Sequence, residues 1–203
     1  MATNKSKAAG LLAIIALAQL SVFLLLFAGN LTAVPAYLGF ASLNAIPVSA
    51  WGSAAAATIV HVAWAATLSP VRHYLFRLDF LKLLAVFAAL LARIVEEVVF
   101  RKLLMDWLNG AGYGLAAQAA ASGLAFGLVH LIWGAKRLTA GINAFLSTTM
   151  LGVGLAGVYI LSGRNLAPCV IAHFAVSALI EPGLLLAAAK DRLGAWRERA
   201  PAD

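Results

Sequence analysis

Residues 81–104 read LKLLAVFAALLARIVEEVVFRKLL. The run is long and apolar enough to cross a bilayer, yet it holds Glu96 and Glu97 side by side, with Arg93 one turn before the pair and Arg101 one turn after. A carboxylate in hydrocarbon costs on the order of 2.5–3.5 kcal/mol on insertion scales. Intramembrane charges therefore face a bundle interior or a wet cavity and mark functional sites. The stretch predicts a transmembrane bundle with a polar centre.

The rest of the chain agrees with that class. Hydrophobic residues make up 63% of its 203 residues and charged residues 11%, under half the roughly 25% of a soluble domain. The single cysteine, Cys169, excludes an internal disulfide framework and reads as a small buried residue. The formal charge is +7. Its basic residues are dispersed at the ends of apolar runs, which is the pattern of membrane flanks and excludes a nucleic-acid patch.

About 20 apolar residues span a bilayer. Six runs qualify, roughly 8–29, 50–69, 81–107, 113–133, 138–162 and 166–189. The first follows Lys5 and Lys7 and exceeds the 7–15 apolar residues of a signal peptide, so it reads as a retained span; cleavage after Ala33 or Ala36 is the alternative. Segment 30–49 is apolar but broken by Pro35 and Pro47, so it reads as a short extra helix, a re-entrant piece or an interfacial loop.

With the N-terminus in the cytoplasm, six spans put Lys5, Lys7, Arg72, Arg77, Lys82, Lys136, Arg137, Lys190, Arg192, Arg197 and Arg199 on the cytoplasmic side. Only Arg101, Lys102 and Arg164 fall on the other. That is a strong positive-inside bias, and a seventh span at 30–49 would break it. The expected fold is an all-α polytopic bundle forming one integral membrane domain over 1–203, with both termini cytoplasmic. The tail from Lys190 to Asp203, with Trp196, reads as a surface segment on anionic headgroups or in solvent. Gly123 and Gly127, and Gly152, Gly154 and Gly157, read as packing glycines.

Few polar side chains lie at membrane depth. They are His61, Arg93, Glu96, Glu97, Arg101, Gln118, His130, Asn143, Ser147, Thr148, Thr149, His173, Ser177 and Glu181. His73 lies in a basic loop and reads as solvated. Arg93, Glu97 and Arg101 are spaced i, i+4, i+8 and share a helix face, so either arginine can pair with Glu97. Glu96 lies about 100° around the helix and is freer to point into a cavity, where a poorly solvated carboxylate suits a general base toward water. A lone transmembrane histidine reads first as an interhelical hydrogen bonder. Two histidines and two glutamates on three spans could instead position a water, polarise a carbonyl and protonate a leaving amine.

These residues also fall into motifs. Glu96-Glu97-Val98-Val99-Phe100-Arg101 fits EExxxR, Phe126 to His130 fits FxxxH, and His173 to Ser177 approximates HxxxN/D. In order and spacing they resemble the CPBP family, the CAAX-protease and bacteriocin-processing (Abi) intramembrane proteases that include the eukaryotic prenyl-protein endopeptidase. The resemblance covers about residues 81–189. It implies an intramembrane endopeptidase in which Glu96 activates water, His130 helps hold that water, and Glu97 and Arg101 form a supporting pair. His173 would stabilise the oxyanion with the residue four positions on, here Ser177 in place of Asn or Asp. Ser177 does that work, Asn143 replaces it, or activity is reduced. Arg93 lies outside the pattern and is expected to add a second partner for Glu97.

The resemblance leaves the metal open. A zinc site with an open position needs three protein ligands, which Glu96, His130 and His173 would supply. HExxH is absent, and Arg101 and Arg93 add positive charge that disfavours a dication. Metal-free water activation is the expectation, with no cofactor. The expected partners are a membrane-anchored protein or peptide substrate and the bilayer. The short chain, rich in alanine and leucine, reads as bacterial, which places it in the inner (cytoplasmic) membrane. Leader-peptide processing, removal of C-terminal sorting anchors and bacteriocin self-immunity are the roles this suggests. Two other classes fit the intramembrane charges: a proton-coupled transporter, and a non-catalytic immunity or scaffold protein. Repeated halves and paired broken helices, which would favour the carrier, are not visible in the sequence.

Overall fold

The computed structural model describes residues 2–135 and 137–189, and these are helical with no strand. Lys136 and the tail from Lys190 to Asp203, including Trp196, lie outside the described residues. The helices are α1 (Ala2–Phe27), α2 (Val34–Tyr37), α3 (Val48–Ala65), α4 (Ser69–Tyr74), α5 (Phe80–Glu97), α6 (Leu104–Gly110), α7 (Leu115–Val129), α8 (Leu138–Leu161) and α9 (Ala167–Ala189).

Among the described residues five stretches are long and apolar enough to cross a membrane: Ser6–Phe27, Val48–Ala65, Leu115–Gly134, Leu138–Leu161 and Ala167–Ala187. The sixth crossing is α5, which runs through a π-helical turn, Val98–Leu103, directly into α6. Its length suffices, but Lys82, Arg93, Glu96 and Glu97 lower its apolarity. Segment 30–49 does not cross. It folds into the 3-10 turns Leu31–Ala33 and Phe40–Ala45 around α2, with Pro47 immediately before α3. Asn30 accepts the Ala33 amide through Oδ1 at 3.2 Å and starts the first turn. Asp79 caps α5 in the same way, accepting the Lys82 amide at 3.0 Å.

α5 packs against α1 and α9, and α3 against α8 and α9. Glycines let the backbones of α7 and α8 approach closely. A Cβ on Gly127 would fall 2.9 Å from the Phe145 carbonyl oxygen and overlap the Thr149 side chain. A Cβ on Gly152 would fall 2.9 Å from the Gly123 Cα. Gly154 meets only Ala57, and Gly157 faces open space, so these two are not close-approach positions.

The two ends of the bundle differ. At one, Asp106 accepts from Tyr159 Oη (3.0 Å) and Arg164 Nη1 (2.7 Å) and pairs with Lys102 (3.2 Å). Arg164 Nη2 donates to Gln118 Oε1 at 2.6 Å. This network ties the α8–α9 turn to α6 and α7 and holds Arg164 at φ 66°, unusual for a non-glycine residue. Gln118 is thereby a structural tie.

At the opposite end Lys82, counted with the flanking charges, is buried. Its ammonium donates to the carbonyls of Tyr74 (3.3 Å), Leu75 (3.1 Å) and Leu179 (3.2 Å). Tyr74 ends α4, Leu75 follows it and Leu179 lies within α9, so the ammonium ties the end of α4 to α9. His73, in α4, is exposed as expected and accepts from Arg77 at 3.0 Å.

Gly127→Val should destabilise the folded protein by about 1–3 kcal/mol, the usual cost of overpacking. Gly157→Ala should leave the melting temperature unchanged or raise it, since alanine is favoured over glycine in a helix by about 1 kcal/mol. Thermal unfolding in detergent distinguishes the two; equal behaviour would show that the α7–α8 contact does not set stability.

Candidate active site

The site starts at the junction of α5 with the π-helical turn. Arg101 lies in that turn and reaches back to Glu97, Nε to Oε2 at 3.1 Å, with both side chains 0% exposed. The Arg101 guanidinium also lies 5.0 Å from the centre of the Phe126 ring on α7 and donates from Nη2 to the Gly152 carbonyl of α8 at 3.3 Å. The Phe100 carbonyl within the turn accepts from Ser122 Oγ at 2.9 Å. Glu97 turns its other oxygen to α9, where His173 Nδ1 donates to Oε1 at 2.6 Å. One carboxylate and one guanidinium thus join four crossings in a dry interior.

Phe126 packs between the aromatic members of the site. Its ring centroid is 4.7 Å from His130, 5.3 Å from His173 and 5.3 Å from Phe100. α7 ends at Val129 and tightens into the 3-10 turn His130–Gly134. The His130 amide accordingly bonds Gly127 and Leu128, and His130 Nδ1 donates to the Phe126 carbonyl at 2.8 Å. With Nδ1 carrying the proton, Nε2 of a neutral His130 offers a lone pair.

On the other side of this buried layer is a cavity of about 400 Å³ whose lining includes Arg93, Glu96, His130, His173, Ser177 and Glu181. Arg93 links three of them. Its Nη1 donates to His173 Nε2 at 3.0 Å and lies 3.1 Å from Glu96 Oε2, and its Nη2 lies 3.2 Å from Glu181 Oε1. Glu96 Oε2 is 3.7 Å from His173 Nε2 and has no hydrogen-bond donor among the described residues. The Ser177 hydroxyl faces the Glu181 carboxylate one turn on. Asn143, Ser147 and Thr148 of α8 line the same cavity, and His61 lies at its edge on α3.

Of the six residues singled out from sequence, Glu96, His130, His173 and Ser177 line one cavity, and Glu97 and Arg101 support it from behind. Arg93 differs from expectation. It was expected to pair with Glu97, and it pairs with Glu96 and Glu181. Glu97 is already held by Arg101 and His173, while among the described residues no cation other than Arg93 pairs with the two cavity carboxylates. Glu181 had no expected role; the spacing of His173, Ser177 and Glu181 at i, i+4, i+8 was the signal that one face of α9 carries all three. The His173 ring is engaged at both nitrogens, donating from Nδ1 and accepting at Nε2.

That engagement bears on zinc. A zinc ligand set of Glu96, His130 and His173 needs a free imidazole lone pair. Nε2 of His173 faces an arginine N–H, and no group of three His, Cys, Asp or Glu among the described residues has metal-holding geometry. The residues as arranged do not fit that site.

Comparison with known families agrees with this region. A family model described as type II CAAX prenyl endopeptidase Rce1-like matches residues 79–179. Through that stretch the chain belongs to this family. The matched span runs from the cap of α5 to His173 and Ser177 on α9, so it takes in both carboxylates and both histidines of the site. No curated protein and no solved structure matches the chain. Family membership and the apolar helices make it an integral membrane protein of a protease family.

Glu97→Gln should destabilise the protein by about 3–5 kcal/mol, because Arg101 is left buried and uncompensated. Glu96→Gln, on the cavity wall with Arg93 still paired to Glu181, should cost less. Detergent melting curves of both variants check the order; a Glu97→Gln protein as stable as wild type would refute the supporting role of the pair.

Proposed function

We propose that the protein is a glutamate-type intramembrane endopeptidase that hydrolyses a peptide bond of a membrane-anchored protein or peptide. The observation that carries this reading is the convergence of Glu96, His130 and His173 on one cavity, within a region of protease-family sequence. In the reaction a water sits between Glu96 and His130, donating one hydrogen bond to His130 Nε2. Glu96 takes its second proton as the oxygen attacks the carbonyl carbon. The carbonyl π electrons become an oxyanion on the His173–Ser177 side of the cavity. Glu96 then passes its proton to the leaving nitrogen as the C–N bond breaks, leaving a carboxyl group and an amine.

The family description names prenylated CAAX substrates, and a second feature suits an apolar anchor. A groove of about 440 Å³ between α3 and α8 is lined by Ala56, Val60, Met150 and Leu161 among others. It shares His61, Trp64, Ser147 and Leu151 with the catalytic cavity. On this reading the anchor occupies the groove while the scissile bond reaches Glu96. The bias of basic residues orients both termini to the cytoplasm, in a bacterial inner membrane.

Purified protein in liposomes should cleave a membrane-anchored peptide, and Glu96→Gln should abolish cleavage. His130→Ala should reduce it by about 10²–10⁴-fold, the range for losing acid–base assistance. Cleavage in ¹⁸O-water should place one heavy oxygen in the new carboxyl terminus. Equal cleavage by wild type and Glu96→Gln would sink the reading.

A further inference from the structure

We infer that Arg93 is the oxyanion-binding residue of this site, set in place by Glu181, and that it does the work for which Ser177 is too short. The inference rests on the endopeptidase reading above and adds a catalytic residue to it. Three observations carry it.

His173 cannot donate to an oxyanion in the arrangement found. Its Nδ1 proton goes to Glu97, and Nε2 accepts from Arg93, so the donor presented on that side is the guanidinium. The Ser177 hydroxyl faces Glu181.

Arg93 has donor capacity to spare. Its side chain is 9% exposed and lines the cavity. Nη1 is used by His173 and Nη2 faces Glu181, while Nε, itself enclosed, has no hydrogen-bond partner among the described residues. Glu96 Oε2, though 3.1 Å from Nη1, is paired by charge without a hydrogen bond.

The charge then moves in the right direction. Before reaction Arg93 faces two carboxylates, Glu96 and Glu181. When Glu96 takes the proton of water it becomes neutral, and the same step creates one negative charge on the carbonyl oxygen. Arg93 exchanges Glu96 for the oxyanion with no change in the net charge of the cavity. Glu181 holds the guanidinium from its other end, Oε1 lying 3.2 Å from Nη2. Preorganised donors aimed at developing charge are the largest single contribution in many hydrolytic sites. Glu181 is a positioning residue, since it acts through Arg93.

The test is kinetic, on full-length protein in liposomes with the anchored peptide. Arg93→Ala should lower kcat by about 10²–10³-fold, as for loss of one oxyanion donor, with KM changed much less. Added guanidinium should restore part of that kcat in Arg93→Ala and none in Glu96→Gln. Ser177→Asn placed in the Arg93→Ala background should also recover activity, because the amide reaches where the serine hydroxyl does not. Arg93→Ala/Glu181→Ala removes one charge of each sign and provides a folded background if the single variant misfolds. A folded Arg93 variant that keeps kcat within about threefold of wild type, or whose loss neither guanidinium nor Ser177→Asn repairs, overturns the assignment. If wild type cleaves and Glu96→Gln does not, such a result leaves the endopeptidase reading standing; a wild type that cleaves nothing overturns both.

Discussion

The buried pair of Glu97 and Arg101 is the constraint from which the rest of the bundle follows. Both side chains are fully enclosed, so neither charge is tolerable without the other and without further polar contacts. Those contacts come from different helices. Gly152 of α8 supplies a carbonyl, Phe126 of α7 supplies an aromatic face, and His173 of α9 supplies a ring N–H. Hydrophobic burial does not discriminate between helix arrangements in lipid, because the tails are as apolar as the side chains. A charge pair with three directional partners does discriminate. It fixes which helices are neighbours and at what depth.

Next to this dry layer lies a second one of the same chemistry put to a different use. Glu96 follows from Glu97 by a single residue, a rotation of about 100°. That rotation moves the carboxylate from full enclosure to a cavity wall, where its side chain is 13% exposed. Arg93 is to this layer what Arg101 is to the other, yet it is shared among two carboxylates and a histidine. His173 belongs to both layers, one ring nitrogen in each. A change in the rigid layer is therefore felt at the cavity through the orientation of one imidazole.

Much of this was legible in the sequence, and the reasons are physical. Spans follow from hydropathy and length, so α1, α3, α7, α8 and α9 lie close to their expected bounds. The i, i+4 rule anticipated the pairing of Glu97 with Arg101 and the common face of His173 and Ser177. What did not show was anything decided between helices. Arg93 had two acceptable partners on its own helix, and only α9, by bringing Glu181 near and His173 onto Glu97, settled the choice. Lys82 looked like a flanking charge because its three carbonyl acceptors come from α4, the following turn and α9. The π-helical turn left no signal of its own, since residues 98–103 carry no helix breaker.

The asymmetry of the bundle bears on how hydrolysis can occur in hydrocarbon at all. One end is tied shut by Asp106, Arg164, Gln118 and Tyr159. The cavity lies toward the other, where α3, α7 and α9 end and α8 begins. That is also the end of the exposed Arg72, Arg77 and Arg137. On the proposed reading, water and substrate then arrive by different routes: water from the basic end into the polar cavity, an apolar anchor through the groove between α3 and α8. The routes meet at His61, Trp64 and Ser147. Such a division suits a carboxylate base. On that reading Glu96 needs a water to deprotonate, and the polar cavity beside the apolar groove gives that water a place at the carboxylate.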